Sequence, residues 1–316
     1  MTLLVHDAVF LDHDTGAHVE TAARLKAIDI ELTRRGLIKL CTRLPVQAID
    51  ESALLRVHTK EQIEAVRQKA ALGGGCIDPD TIVCPRSFQV ALLSAGSCVA
   101  AVDGVMRGPE KTALTLTRPP GHHATPTRSM GFCMFNNVAL AADHARRAHG
   151  LERILIVDWD VHHGNGTQDI FFADPNVTFV SIHRYGAGFY PGTGAADETG
   201  TGPGLGSTIN VPLRAGTMFK TYFDRFREAV ETAADRCKPQ LIILSAGFDA
   251  HCEDPVGQFT LATEDFIELT KVMLELAKVH CNGRLVSCLE GGYNLRALAA
   301  SVAGHLETLL SAESPS

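Results

Sequence analysis

The segment Ile154-Leu-Ile-Val-Asp158-Trp-Asp160-Val-His162-His163-Gly-Asn165-Gly166 ends an apolar run in a burst of side chains that bind metal ions. Asp160 and His162 stand two apart, so a strand running on through them puts both side chains on one side of the backbone, where they can share an ion. The competing reading is a hydrogen-bonded loop, but Asp-x-Asp-x-His-His would then bury several polar groups that each need a partner. Three further apolar runs end in the same way. Thr112–Thr117 leads into Arg118-Pro-Pro-Gly121-His122-His123, Leu241–Ser245 into Ala-Gly-Phe-Asp249-Ala-His251, and Arg284–Leu289 into Glu290-Gly-Gly-Tyr293. Ligands of α/β sheets gather outside the carboxyl ends of the strands, so these runs deliver polar residues to one edge.

Zinc in a catalytic site takes three protein ligands from His, Asp, Glu or Cys and leaves a position for water. Asp160, His162 and Asp249 meet that count, and the same set accepts Fe²⁺. The ion lowers the pKa of a bound water toward about 7, and a neighbouring imidazole can take its proton. His122 and His123 are the candidates. Adjacent imidazoles repel when both are protonated, so a carboxylate on one and a neutral partner on the other would separate their pKa values. Asp158 and Asn165 are the residues to supply that difference. An attacked carbonyl develops oxyanion charge, and Tyr293, next to a Gly-Gly pair, suits the hydrogen-bond donor that stabilises it.

Strands must position these residues. Thr2–Val5, Thr112–Thr117, Arg153–Val157, Val177–Ile182, Leu241–Ser245 and Arg284–Leu289 read as strands, several continuously apolar as in sheets covered on both faces. Helix-period segments lie between them at about 59–72, 85–107, 135–149, 217–237, 263–280 and 294–312. The alternation predicts an α/β fold with a central, mostly parallel sheet flanked by helices. The chain of 316 residues contains no dividing linker, so one domain over 1–316 is expected, with a frayed tail at about 312–316. The glycine-rich stretch 185–206 is too long for an idle connection inside a domain and carries no phosphate-binding fingerprint.

A formal charge of -7 and the absence of a Lys/Arg run argue against nucleic acid as a partner. The apolar runs fall short of a membrane span and the first residues lack signal-peptide character, so a soluble, cytoplasmic protein is expected. Nine scattered cysteines without a Cys-x-x-Cys pair read as free thiols in a reducing compartment, with Cys133 near the candidate site.

The motifs Arg118-Pro-Pro-Gly-His-His-Ala124, Gly131-Phe-Cys-Met-Phe-Asn-Asn137, Asp158-Trp-Asp-Val-His-His-Gly-Asn-Gly166, Phe189-Tyr-Pro-Gly-Thr-Gly194, Ala246-Gly-Phe-Asp-Ala-His251 and Leu289-Glu-Gly-Gly-Tyr293 resemble, in order, those of the zinc-dependent histone deacetylase superfamily. Within it the chain is similar to class II and bacterial histone-deacetylase-like amidohydrolases. The resemblance implies the arginase/deacetylase-like α/β fold, with about eight strands in its sheet. It implies Asp160, His162 and Asp249 as zinc ligands, His123 as general base and acid, and His122 as an electrostatic partner held by Asp158. Asn165 behind His123 matches the class II pattern; class I has Asp there. Tyr293 matches the catalytic tyrosine, Gly131 the carbonyl that receives the substrate's amide hydrogen, and Phe132 with Phe189 or Tyr190 the aromatic channel walls. Asp80 resembles the rim residue that anchors the substrate backbone, although a turn-capping Asp fits equally. Structural K⁺ or Na⁺ is implied near Asp158, Asp160, His162, Ser181 and Ile182, with an outer site at Phe171, Asp174 and Val177.

The resemblance implies removal of acetyl or other acyl groups from lysine side chains of proteins or peptides. The runner-up substrate is an acetylated polyamine, against which Val256 weighs, because polyamine-preferring class II deacetylases carry Glu there. An arginase-like ureohydrolase would need a second bridging metal and an Asp where His251 stands. A silent binding module would not need all the ligands, both histidines and Tyr293. His18, Glu20 and Arg24 are read as organising a rim loop rather than a second metal site. The remaining histidines, including His58, His144 and His280, are read as surface or helical residues rather than ligands. A homo-oligomer is compatible with this reading.

Overall fold

The computed structural model describes residues 1–312, so all but the first residue of the expected frayed tail lies outside the described residues. Ten strands and nine α-helices are found among them. The strands are β1 (Leu3–His6), β2 (Thr42–Arg43), β3 (Gly75–Asp78), β4 (Thr81–Val83), β5 (Thr112–Leu116), β6 (Ile154–Asp158), β7 (Val177–Arg184), β8 (Thr208–Leu213), β9 (Leu241–Ala246) and β10 (Leu285–Leu289). The helices are α1 (Ala23–Arg34), α2 (Glu51–Leu54), α3 (Lys60–Ala71), α4 (Ser87–Arg107), α5 (Asn137–His149), α6 (Asn165–Phe171), α7 (Phe219–Cys237), α8 (Thr263–His280) and α9 (Leu295–Ser311).

Eight strands form one sheet in the order β2-β1-β5-β10-β9-β6-β7-β8, every pair parallel. The chain reaches β8 at one edge before returning to insert β9 and β10 in the middle. The four strands that end in candidate site residues, β5, β10, β9 and β6, are consecutive neighbours at the centre. Their register is continuous, with Asp158 level with Ser245 on β9 and Ser181 on β7. A shared register brings the strand ends to a common height.

Alternation along the strands splits the apolar residues between two cores. Ile242, Leu244 and Ala246 of β9 face the core shared with α1, α7, α8 and α9, while Leu241 and Ile243 face the one shared with α3, α4 and α5. Burying each such side chain is worth about 1.5–3 kcal/mol, which is why these strands read as continuous apolar runs. Trp159, fully buried next to Asp158, packs among Phe226, Phe248, Phe266 and His305 at ring separations of 5.6–6.4 Å. It anchors the Asp158–His162 segment to the core from beneath.

Some expectations change. The strand carrying Asp158 ends at that residue, so Asp160 and His162 converge through bends rather than strand alternation. Among the described residues one helix, α4, is long and apolar enough by length and composition to cross a membrane, contrary to the reading of short apolar runs. Two thirds of that window is buried inside the protein, where α4 packs on α5 and β5. The edge strand β8 was not read from the sequence; Pro212 and a half-exposed pattern disguise it, and both belong to an edge position.

Candidate active site

Asp160, His162 and Asp249 meet in a buried pocket, their ligand atoms all within 4.8 Å of one another. Side-chain to backbone bonds set the bend: Asp158 Oδ1 accepts Asp160 N–H at 3.1 Å, and Asp160 Oδ1 accepts His162 N–H at 2.9 Å. The Asp249 carboxylate reaches across from the end of β9, its Oδ1 accepting Val161 N–H at 2.9 Å. His162 Nδ1 lies 3.0 Å from Asp160 Oδ1 and 3.2 Å from Asp249 Oδ2. A side chain at Gly247 or Gly291 would collide with these carboxylates, which explains the glycines that follow β9 and β10.

Asp249 Oδ2 is enclosed yet accepts no hydrogen bond. Burial, then the Asp160 charge, raises its carboxyl to about 7. Burial also acts to raise Asp160, but His122 and His162 outweigh it and hold the group below the usual carboxylate range. Burial opposes protonation of His162, yet its bond to Asp160 and the adjacent Asp249 carboxylate push it up to about 9. The pocket thus gathers two carboxylates and one imidazole around an orphan oxygen, and that donor set fits a divalent cation of zinc's kind.

The rings of His122 and His123 lie tilted at 41° with centroids 4.0 Å apart. His122 Nδ1 meets Asp158 Oδ2 at 2.9 Å, and His123 Nδ1 meets Asn165 Oδ1 at 2.7 Å. Burial alone would lower both. For His122 the Asp158 and Asp160 charges overcome burial and raise its pKa well above the ordinary value. For His123 burial wins, and charge on His122 and His162 drives it further down. An amide oxygen on Nδ1 requires that nitrogen to carry the hydrogen, leaving Nε2 as an acceptor. The two imidazoles are thus pushed in opposite directions.

Tyr293 is aimed by Asp254, whose Oδ2 accepts its backbone N–H at 2.6 Å. The Arg24 guanidinium lies 5.2 Å from its ring centroid, and Phe132 meets the ring edge-on at 5.8 Å. Burial and the carboxylates of Asp249 and Asp160 raise its hydroxyl well above the ordinary pKa, so it stays a donor.

Gly131 and Phe132 both adopt positive φ, 56° and 68°. For Phe132 this conformation costs on the order of 1 kcal/mol and is held by its N–H bond to Thr81 Oγ1 at 3.1 Å. The turn sets Phe132 between His18, 4.6 Å away edge-on, and Tyr293. Opposite, Phe189 lies flat on His162 at 5.0 Å with Arg184 4.0 Å above its other face, and Tyr190 meets His123 edge-on at 5.1 Å. Tyr190's hydroxyl is enclosed beside Gly131 without a hydrogen-bond partner. The glycine-rich stretch is therefore tied to the site. Glu198 accepts the Gly194 and Ala195 N–H groups at 3.0–3.1 Å, and His163 meets Thr193 Oγ1 at 2.8 Å.

Asp80 occupies the β3–β4 turn, and its charge bears on Tyr190, as does that of Asp78. Val256 lies in the turn bound by Asp254 Oδ1 at 2.9 Å. Ser181 Oγ pairs with His183 Nδ1 at 2.9 Å beside Asp158, and Ile182 is buried next to it. The Asp174 carboxylate pairs with Arg146 at 2.5 Å, near Phe171 and Val177 of the expected outer ion site. His18 Nδ1 accepts Glu20 N–H at 3.0 Å, while Glu20 binds Arg24 and Arg118, as expected of a loop organiser. His58 is buried, not on the surface, and bonds Thr125 O at 3.0 Å and Asn136 N–H at 2.9 Å.

Three supporting residues carry roles that the sequence does not assign. Glu290 accepts N–H bonds from Gly121 at 2.7 Å and His122 at 3.2 Å, with burial raising it to about 7. Asp254 aims Tyr293. Arg118 joins Glu20 to the carbonyls of Phe10 and His13. Their signal was available, since each is a charged residue inside or next to a motif.

A central parallel sheet, flanking helices and a carboxyl edge bearing this pocket define an α/β amidohydrolase of the arginase/deacetylase type. The model of the histone deacetylase domain matches residues 18–309. Histone deacetylase 14, chloroplastic, of Arabidopsis thaliana is 40% identical over 96% of this chain and 75% of its own length. Histone deacetylase-like amidohydrolase of Pseudomonas aeruginosa is 41% identical over 87% of this chain and 71% of its own. Polyamine deacetylase HDAC10 of Homo sapiens is 41% identical over 96% of this chain but only 46% of its own. The crystal structure of the HDA15 HD domain superposes with a TM-score of 0.93 at 38% identity, covering 100% of this chain and 90% of that one. The chain belongs to the histone deacetylase family, whose members hydrolyse amides.

Proposed function

We propose that the chain is a zinc-dependent deacetylase that removes acetyl groups, and other acyl groups that fit the channel, from lysine side chains of proteins or peptides. The observation that carries this reading is the pairing of His122 with a carboxylate and His123 with an amide next to Asp160, His162 and Asp249. Those three residues would hold the ion, which when bound supplies polarisation of an amide carbonyl and a more acidic water. His123 Nε2 takes the water's proton and returns it to the departing amine. His122, kept charged by Asp158, offsets negative charge as it builds up, and Tyr293 donates a hydrogen bond to the oxyanion. The Gly131 carbonyl receives the substrate N–H, while Phe132, Phe189 and Tyr190 enclose the alkyl stem. Asp80 anchors the substrate backbone at the rim. A K⁺ or Na⁺ ion beneath Asp158, Ser181 and Ile182 would steady the segment from below.

Acetylpolyamine is the second reading. Asp78 and Asp80, close enough to bear on Tyr190, favour a cationic substrate, and the human relative is named a polyamine deacetylase. Val256, an apolar residue in the turn beside Tyr293, favours acyl-lysine. Acetate release from an acetyl-lysine peptide and from acetylspermidine, measured in parallel, separates them. Greater kcat/KM on the peptide, falling by about 10²–10³ in Tyr293→Phe, is expected. Preference for acetylspermidine would move the assignment to the polyamine, and activity unaffected by Tyr293→Phe would remove the proposed oxyanion donor.

A further inference from the structure

A second cluster of metal-ligating side chains lies away from the pocket. Asp103 on α4 and His144 and His149 on α5 bring their ligand atoms within 4.8 Å of one another. Both imidazoles point Nε2 at the same oxygen, Asp103 Oδ1, at 2.8 Å for His144 and 2.6 Å for His149. The arrangement parallels the pocket, where His162 Nδ1 stands 3.0 and 3.2 Å from its two carboxylates. In a tetrahedral zinc site, ligand distances of about 2.0–2.2 Å separate neighbouring ligand atoms by roughly 3.3 Å. Small rotations of the two rings would open the cluster to that spacing.

The surroundings suit a cation. Arg146 and Arg147, which flank the cluster on α5, are paired with Asp174 and Asp143. Arg107 pairs with the other Asp103 oxygen at 3.4 Å and is 65% exposed, so it leaves Oδ1 to the two imidazoles. The three ligands are partly buried, at 27%, 21% and 9% exposure for Asp103, His144 and His149. A cavity of about 300 Å³ adjoins them, lined by Asp103, His144, Gln47, Asp50 and Arg56 among others, and leaves room for water on the open coordination positions. Gly150, at φ 64°, ends α5 directly after His149.

We propose that Asp103, His144 and His149 form a second divalent-metal site, taking Zn²⁺ or a similar transition ion through one carboxylate and two imidazole Nε2 atoms. It lies at the edge opposite the catalytic pocket, since α4 ends just before β5 begins and α5 just before β6 begins. The ion would clamp α4 to α5 and take no part in hydrolysis, so the proposal stands apart from the deacetylase reading. The notable feature is convergence: two helices contribute ligands to one point, whereas an ordinary surface ion pair needs only one histidine per carboxylate.

The test counts ions. Metal-stripped protein is dialysed against Zn²⁺ and bound zinc is measured per chain by elemental analysis. Two per chain are expected for the wild type, one for the His144→Gln/His149→Gln double variant, and one for Asp160→Asn. The double variant keeps side chains that can hydrogen-bond Asp103 and should retain full deacetylation. Histidine ring NMR signals followed through a Zn²⁺ titration give a variant-free check, in which His144 and His149 shift together with one of the two equivalents. A single zinc per chain that Asp160→Asn removes, a second zinc that survives the double variant, or histidine signals at 144 and 149 that ignore the titration would overturn the proposal.

Discussion

The floor of the site hangs from four adjoining central strands, β5, β10, β9 and β6, whereas its rim comes from segments outside the main sheet: the His18–Arg24 loop, the β3–β4 hairpin, the Gly131–Phe132 turn and the glycine-rich stretch. Floor residues are fixed by strand register and by buried bonds such as Asp158 to His122. Rim residues are fixed by turns and ring contacts, as Phe132 is by Thr81 and Phe189 by Arg184. The proposed catalytic residues thus hang from central strands covered on both faces, and the proposed substrate contacts from local turns. Floor substitutions should act on kcat, and rim substitutions on KM.

The sharpest division is expected at His123. His123→Ala should lower kcat by about 10²–10⁴ with little change in KM, as measured by steady-state acetate release. A large KM effect would blur the boundary between floor and rim. Glu20 tests how firmly the rim loop is tied to the floor. Burial would raise its carboxyl, but the charge and hydrogen bonds of Arg118, with Arg24, hold it at about 2 against an ordinary 4.5. Its contribution to stability is therefore present above pH 4.5 and lost as pH falls toward 2. Glu20→Gln should cost about 3–5 kcal/mol at neutral pH by leaving buried arginines uncompensated. It should also flatten acid destabilisation over that window, read by denaturant melts at a series of pH values.

Asp254 links the two regions by aiming Tyr293 from a neighbouring turn. Asp254→Ala removes a charged hydrogen bond worth about 1.5–3 kcal/mol and should lower kcat on the order of tenfold. The smallest effect belongs to the rim: Tyr190→Phe deletes an enclosed, unpartnered hydroxyl and should shift KM a few-fold at unchanged kcat. A kcat loss there as large as at His123 would mean that Tyr190 takes part in the chemistry.

The same division marks what the sequence made legible. The central strands stood out because burial on both faces makes them continuously apolar, and Asp160, His162, Asp249, His122, His123 and Tyr293 could be picked out as polar residues at strand ends. The geometry that joins Asp160 to His162 was not legible, because backbone bends and carboxylate-to-N–H bonds carry it. Nor were the reasons for Gly247 and Gly291, since the carboxylates they make room for come from distant parts of the chain. Edge strand β8 and the β3–β4 hairpin lack the apolar pattern that a covered strand must have. Glu290, Asp254 and Arg118 were visible as charged residues, but only the fold shows that their charges point inward to backbone groups and buried partners.

The most direct measurement is acetate release from an acetyl-lysine peptide as zinc is stripped from the protein and restored stepwise, in the wild type and in Asp160→Asn. Activity that vanishes on stripping, returns with the equivalent of zinc that Asp160→Asn cannot bind, and stays absent in that variant is the expected result. Full activity in metal-free protein, or in Asp160→Asn, would contradict a metal-dependent floor.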